Sequence, residues 1–150
     1  MNTKFIKSNE KREIISQLNE QFGIEELPYL LIESGKERIR AFSGSLSKEE
    51  IMQIGDLTRV EVVGLYLIKK EHDLRLSLDA ATILKNQITK NILEINDEQF
   101  YKWIRGYDLQ VESPQGTYVI KYKNDFIGCG KSNGKIIFNY VPKDRRIKKQ

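Results

Sequence analysis

Between Phe126 and Tyr140 the chain reads FIGCGKSNGKIIFNY, and no helix can be drawn through it. Gly128 and Gly130 flank the only cysteine, Asn133-Gly134 is a tight-turn dipeptide, and Ile136 to Val141 is an apolar run broken at Pro142. These are the marks of two strands joined by a hairpin and ending in a cationic tail. A strand follows the glycine pair, which separates it from a dinucleotide-binding turn, where a helix must follow.

The sequence upstream continues in the same style. Leu109 to Glu112, Thr117 to Lys123, Phe126 to Cys129 and Ile136 to Tyr140 read as strands, separated by Pro114-Gln115-Gly116, Asn124-Asp125 and Asn133-Gly134. Ahead of them, Asp79 is placed to cap a helix running to about Lys90, with Ala80, Ala81, Ile83, Leu84 and Ile88 inward. Ile92 to Ile95 is a short strand. Asn96 with Gln99 forms a capping box for a short helix carrying Phe100, Trp103 and Ile104, which Gly106 ends. Short strands at this spacing with an early helix predict a small, closed or nearly closed barrel.

The first half has a different texture. Residues 9 to 22 form an amphipathic helix with Ile15, Leu18 and Phe22 at helical spacing and Ile14 beside them; Ser8 or Asn9 can cap it and Gly23 can stop it. Pro28 to Glu33 and Arg38 to Phe42 are strands around a Ser34-Gly35-Lys36 turn. In the second strand Ile39 and Ala41 alternate with Arg38, Arg40 and Phe42, which predicts a cationic, wet face. Ser47 and Glu50 suit a capping box for a helix carrying Ile51 and Ile54, and Val60 to Lys69 is a strong strand. Glu71-His72-Asp73 turns the chain back through Arg75 to Leu78. The expectation is an α+β protein with a small sandwich-like layer over residues 1–75 packed on a barrel over 76–150.

The 150 residues carry 39% hydrophobic and 31% charged residues, a balance that fits a folded chain. No run approaches the roughly 18 apolar residues of a membrane span, and the start turns charged early, so no membrane partner and a cytoplasmic setting are expected. One cysteine excludes an internal disulfide, and one histidine with one cysteine excludes a Cys/His zinc site, so no cofactor is expected. His72 reads as a solvated turn residue and Cys129 as a buried thiol. No phosphate-binding loop or convergent nucleophile and base is present, so the chain is expected not to be an enzyme.

Charge is what remains. Residues 1–75 hold 12 Lys and Arg against 13 Asp and Glu, whereas residues 76–150 hold 13 against 8. A polyanion partner for the second half and a merely solubilising tail both fit that asymmetry. Lys85 and Lys90 follow the Asp79 helix, Lys102 and Arg105 flank Trp103, Lys121 and Lys123 alternate with Tyr122, and Lys131, Lys143, Arg145 and Arg146 surround the hairpin. Cations beside aromatic rings suit phosphate contact with base stacking.

The capped helix after Leu76-Ser77-Leu78, the short strand, Trp103-Ile104-Arg105-Gly106 and the glycine-rich hairpin together resemble a PUA domain. The ending, Gly128-Cys129-Gly130-Lys131 followed by Asn139 to Arg146, resembles the PUA-like domain of Sun-type RNA 5-methylcytosine methyltransferases. The whole layout is similar to small ribosome-assembly factors with a pre-PUA domain ahead of PUA. The resemblance implies a pseudo-barrel that grips RNA through Lys85, Gln87, Lys90, Asn91, Lys131, Lys143, Arg145 and Arg146, to which the residue pattern adds Arg105. It implies a non-catalytic RNA-binding protein acting on ribosomal or transfer RNA in ribosome biogenesis or RNA modification. The alternatives are an accessory module serving a separate RNA methyltransferase, or a scaffold for ribosome-assembly proteins. Ile88 to Ile92 contains no glycine, so contact there would run through side chains.

Overall fold

The computed structural model describes residues 3–35, 37–42 and 64–147. Two sheets account for its strands. The first is an antiparallel meander in sequence order: β1 (Thr3–Phe5), β2 (Leu30–Ser34), β3 (Arg38–Phe42), β4 (Leu65–Lys70) and β5 (Leu74–Leu76). The second comprises β6 (Ile92–Glu94), β7 (Gly116–Tyr122), β8 (Asp125–Ser132) and β9 (Ile137–Asn139), with β6 parallel to β7 and the rest antiparallel. The fold is α+β.

Helix α1 (Ser8–Phe22) buries Ile14, Leu18 and Phe22 and ends at Gly23, whose φ of 83° is the left-handed stop. Its expected side-chain cap does not form: Lys7 occupies the cap position with no side-chain bond. The short β1 strand, too brief to carry a period in the sequence, pairs with β2 from Thr3↔Ser34 to Phe5↔Ile32. The Ser47–Glu50 capping box, its helix and the first residues of the strand expected from Val60 lie outside the described residues.

Helix α2 (Leu78–Ile83) is shorter than the pattern predicts and is capped earlier. Ser77, not Asp79, is the cap residue, its hydroxyl accepting from the Ala80 amide. The chain then tightens into a 3-10 turn over Lys85–Gln87. Ile83, the last residue of α2, is 46% exposed although it was expected inward, while Ala80, Ala81, Leu84 and Ile88 are buried. Two alanines in succession let α2 lie close to both β4 and β8. The main core therefore runs unbroken from α1 through Ile39, Ile68 and Leu76 to Ala80, Val119 and Cys129.

On the other side of the second sheet, α3 (Asp97–Trp103) starts with the full capping box, Asn96 and Gln99 each bonding the other's backbone amide. It drives Trp103, fully buried, into a second cluster with Ile95, Leu109, Ile120, Ile137 and Val141. The indole donates to the Ile127 carbonyl at 2.8 Å. The strand expected over Leu109–Glu112 reduces to one bridge, Leu109 with Ile137; beside it, the Asn139 side chain donates to the Trp103 and Tyr107 carbonyls.

Candidate nucleic-acid interface

The cations singled out by the sequence fall into four places with different degrees of freedom. The first is the loop after α2. Here the Gln87 amide is committed to the backbone, accepting from Glu25 and Glu26 at 2.9 and 3.0 Å and donating to Glu26 O at 3.1 Å. Thr89 and Lys90 amides donate to Phe22 O, and Asn91 donates its side-chain amide to Gln21 O. Asn91 takes the left-handed conformation, φ 54°, that glycine adopts most readily. The loop is thereby clamped to the end of α1. Lys85 and Lys90 remain exposed on it, Lys85 within 3.7 Å of Asp125.

The second is the end of α3, where Arg105 donates to Tyr101 O and lies over the exposed Tyr101 ring at 5.5 Å. Phe100 stacks on Tyr122 at 3.9 Å nearby, and Lys123 lies over the Tyr122 ring.

The third is the tail. Arg145 reaches Asp79 at 3.3 Å, and Arg146 donates to Val141 O at 2.9 Å. A side chain at Gly106 (φ 92°) would collide with the Arg146 guanidinium, so this glycine leaves the arginine its place. Ile147 N closes onto Ile104 O. The tail therefore folds back over α3 and toward α2, and Arg145 and Arg146 are engaged by the fold. Lys143 is exposed and has no side-chain partner among the described residues.

The fourth centres on Lys131 and includes residues that the sequence reading left aside. Glu71, in the β4–β5 turn, takes Arg75 at 2.9 Å and Lys131 at 3.0 Å, one cation from each sheet. Burial pushes the Glu71 carboxyl up, but the hydrogen bonds and positive charge of Arg75 and Lys131 outweigh it and hold the carboxyl below its ordinary range. Both cations lie over the exposed Tyr140 ring, Arg75 at 4.0 Å and Lys131 at 5.8 Å. Across the first sheet, Arg38 pairs in register with Lys69 and Lys69 with Arg75, and Arg38 lies over Tyr66 at 5.3 Å. The alternation of Arg38 and Arg40 with Ile39 and Ala41 was the sequence signal for this face; nothing local tied it to Lys131.

Other chemistry is sparse. Burial pushes the Cys129 thiol up to about 12, which makes it a packing residue at neutral pH. Among the described residues no three His, Cys, Asp or Glu side chains could hold a metal ion, and no helix is long and apolar enough to cross a membrane.

Residues 90–147 match the family model of the Methyltransferase RsmF PUA domain. The chain is 35% identical over 66 residues to the ribosomal RNA small subunit methyltransferase F of two Vibrio cholerae serotype O1 strains, M66-2 and ATCC 39315 / El Tor Inaba N16961. Each match covers 43% of this chain and 14% of the relative, so the chain spans only a small part of the curated relatives it matches. A four-stranded sheet around Trp103 and a match over these same residues lead to one conclusion: the C-terminal part of this chain is a PUA domain like that of the RsmF methyltransferases.

Proposed function

We propose that this chain is a non-catalytic, cytoplasmic RNA-binding protein whose PUA domain engages structured ribosomal or transfer RNA during ribosome assembly or RNA modification. The observation that carries this reading is the PUA match over residues 90–147. The net charge of +4, concentrated in the same half, supports it, because lysines and arginines gain affinity by releasing counterions from phosphates. The relatives are named as small-subunit ribosomal RNA methyltransferases, which favours ribosomal RNA. It also favours a second reading, in which the domain supplies RNA grip to a separate methyltransferase.

Lys85, Lys90 and Lys143 present exposed charge for phosphates. Arg145 and Arg146 spend theirs on the fold first. Filter binding of a small-subunit ribosomal RNA fragment, titrated with salt, tests the reading. The expected result is binding at low salt that weakens steeply as salt rises. Absence of binding at low salt would refute it, and co-purification with a methyltransferase would favour the second reading.

A further inference from the structure

A cleft of about 470 Å³ opens where the two sheets meet. Its walls come from three places far apart in the chain: His72 and Asp73 in the β4–β5 turn, Gln115 and Thr117 entering β7, and Lys131 and Ser132 leaving β8. Its volume lies in the range of small-molecule clefts, roughly 300–1,000 Å³. The outer wall lies outside residues 90–147, so a PUA domain alone could not form it.

The lining is polar and mixed in character. Lys131 brings N–H donors, Asp73 a carboxylate acceptor, and Gln115 both. Ser132 is already committed, accepting from Gly134 N and donating to Ser113 O, so it shapes the floor. The Thr117 hydroxyl reaches Asp73 at a long 3.5 Å. Glu71 holds Lys131 at the rim, and Tyr140 lies beside it with its ring exposed. Arg75 and Lys131 are balanced by Glu71 and Asp73, so the mouth has little excess charge and suits hydrogen-bonded recognition better than phosphate capture.

Resting on the RNA-binding reading, we infer that this cleft receives one unpaired base of the bound RNA, of the kind that carries an amino group beside a ring-nitrogen acceptor, as cytosine and adenine do. Asp73 accepts from the amino group and Lys131 donates to the ring nitrogen. Uracil would turn a carbonyl toward the Asp73 carboxylate and is disfavoured. Unpaired RNA bases are read in this way, along their hydrogen-bonding edges, and a carboxylate is a natural acceptor for the cytosine amino group.

The test is fluorescence anisotropy with oligocytidylate and oligouridylate of about ten nucleotides, a length spanning a single-strand site, alongside the ribosomal RNA fragment. Wild type is expected to prefer oligocytidylate by about tenfold, the scale of one good base contact. Asp73→Asn should reduce that preference, and Gln115→Trp, at an exposed turn, should fill the cleft and weaken both oligonucleotides without lowering the melting temperature. Equal affinity for the two oligonucleotides, or a Gln115→Trp variant that binds like wild type, overturns the inference. Either result leaves the RNA-binding reading standing if the ribosomal fragment still binds. Loss of all binding by wild type overturns that reading itself.

Discussion

Trp103 occupies the space that a side chain at Gly130 would need: a Cβ there would stand 2.8 Å from Cη2 of the indole and 2.6 Å from Cγ2 of Ile137. The glycine beside the cysteine is thus a packing feature of β8, which lets the largest core residue lie against the sheet. Gly130→Ala should cost about 1–3 kcal/mol by overpacking. Urea unfolding followed by Trp103 fluorescence measures this, and an unchanged midpoint would contradict it.

Glu71 gives the molecule a pH dependence whose sign is fixed. Its folded carboxyl is held below its unfolded value by Arg75 and Lys131 against the opposing effect of burial. The stabilisation is therefore present above the unfolded carboxylate range and lost as pH falls through the lower folded value. Glu71→Gln should be less stable than wild type at about pH 7 and should approach it at about pH 3, below the ordinary carboxylate range. Paired thermal melts at the two pH values decide the matter; a gap that persists in acid would refute it.

Gln87 bonds three backbone groups of Glu25 and Glu26. Removing its amide leaves groups at the junction of α1 and the 3-10 turn without their partner. Gln87→Ala should destabilise the protein by about 1 kcal/mol, the net scale of such bonds. Amide hydrogen exchange should show faster exchange at Glu25 and Glu26, with β7 and β8 unaffected.

On the proposed RNA-binding reading, the tail divides its cations between binding and stability. Lys143→Ala should leave the melting temperature unchanged while lowering the salt slope of RNA binding by about 0.7, one phosphate contact on a single strand. Arg146→Ala should behave differently, losing about 1 kcal/mol of stability with its bond to Val141 O. Parallel melts and salt titrations of the two variants would show whether the roles divide in this way.

Cys129 should resist thiol reagents in the native protein, with its thiol pushed up to about 12 by burial, and react readily once unfolded, because thiolate is the reactive form. Timed labelling with and without urea measures the difference. Rapid native labelling would show that β8 opens.

Much of the second half was legible because its signals are local. The Asn96–Gln99 capping box, the Asn133-Gly134 turn and the apolar positions around Trp103 are written within a few residues of one another, and each forms as expected. The helix before them was overdrawn. Its apolar spacing extends to Ile88, but Ser77 caps it early, the α-helix ends at Ile83, which lies outside the core, and the chain changes pitch at Lys85. Periodicity records which residues are apolar and cannot record a change of helical pitch.

The opening hairpin marks the same division. From the sequence alone it was two strands around a turn with a basic exit, and β8 and β9 pair antiparallel around that turn, β8 running on to Ser132 and β9 starting at Ile137. Where its cations would point was not written there. Lys131 pairs with Glu71 and Arg146 bonds Val141, partners chosen by how the sheets meet and how the tail folds over α3. The cleft beside Lys131 needs the β4–β5 turn, some sixty residues earlier, to stand against β7 and β8. Short-range hydrogen bonds and alternation are properties of adjacent residues, so sequence determines them. Ion-pair partners and clefts belong to surfaces that meet only when the core closes, so tertiary structure decides them.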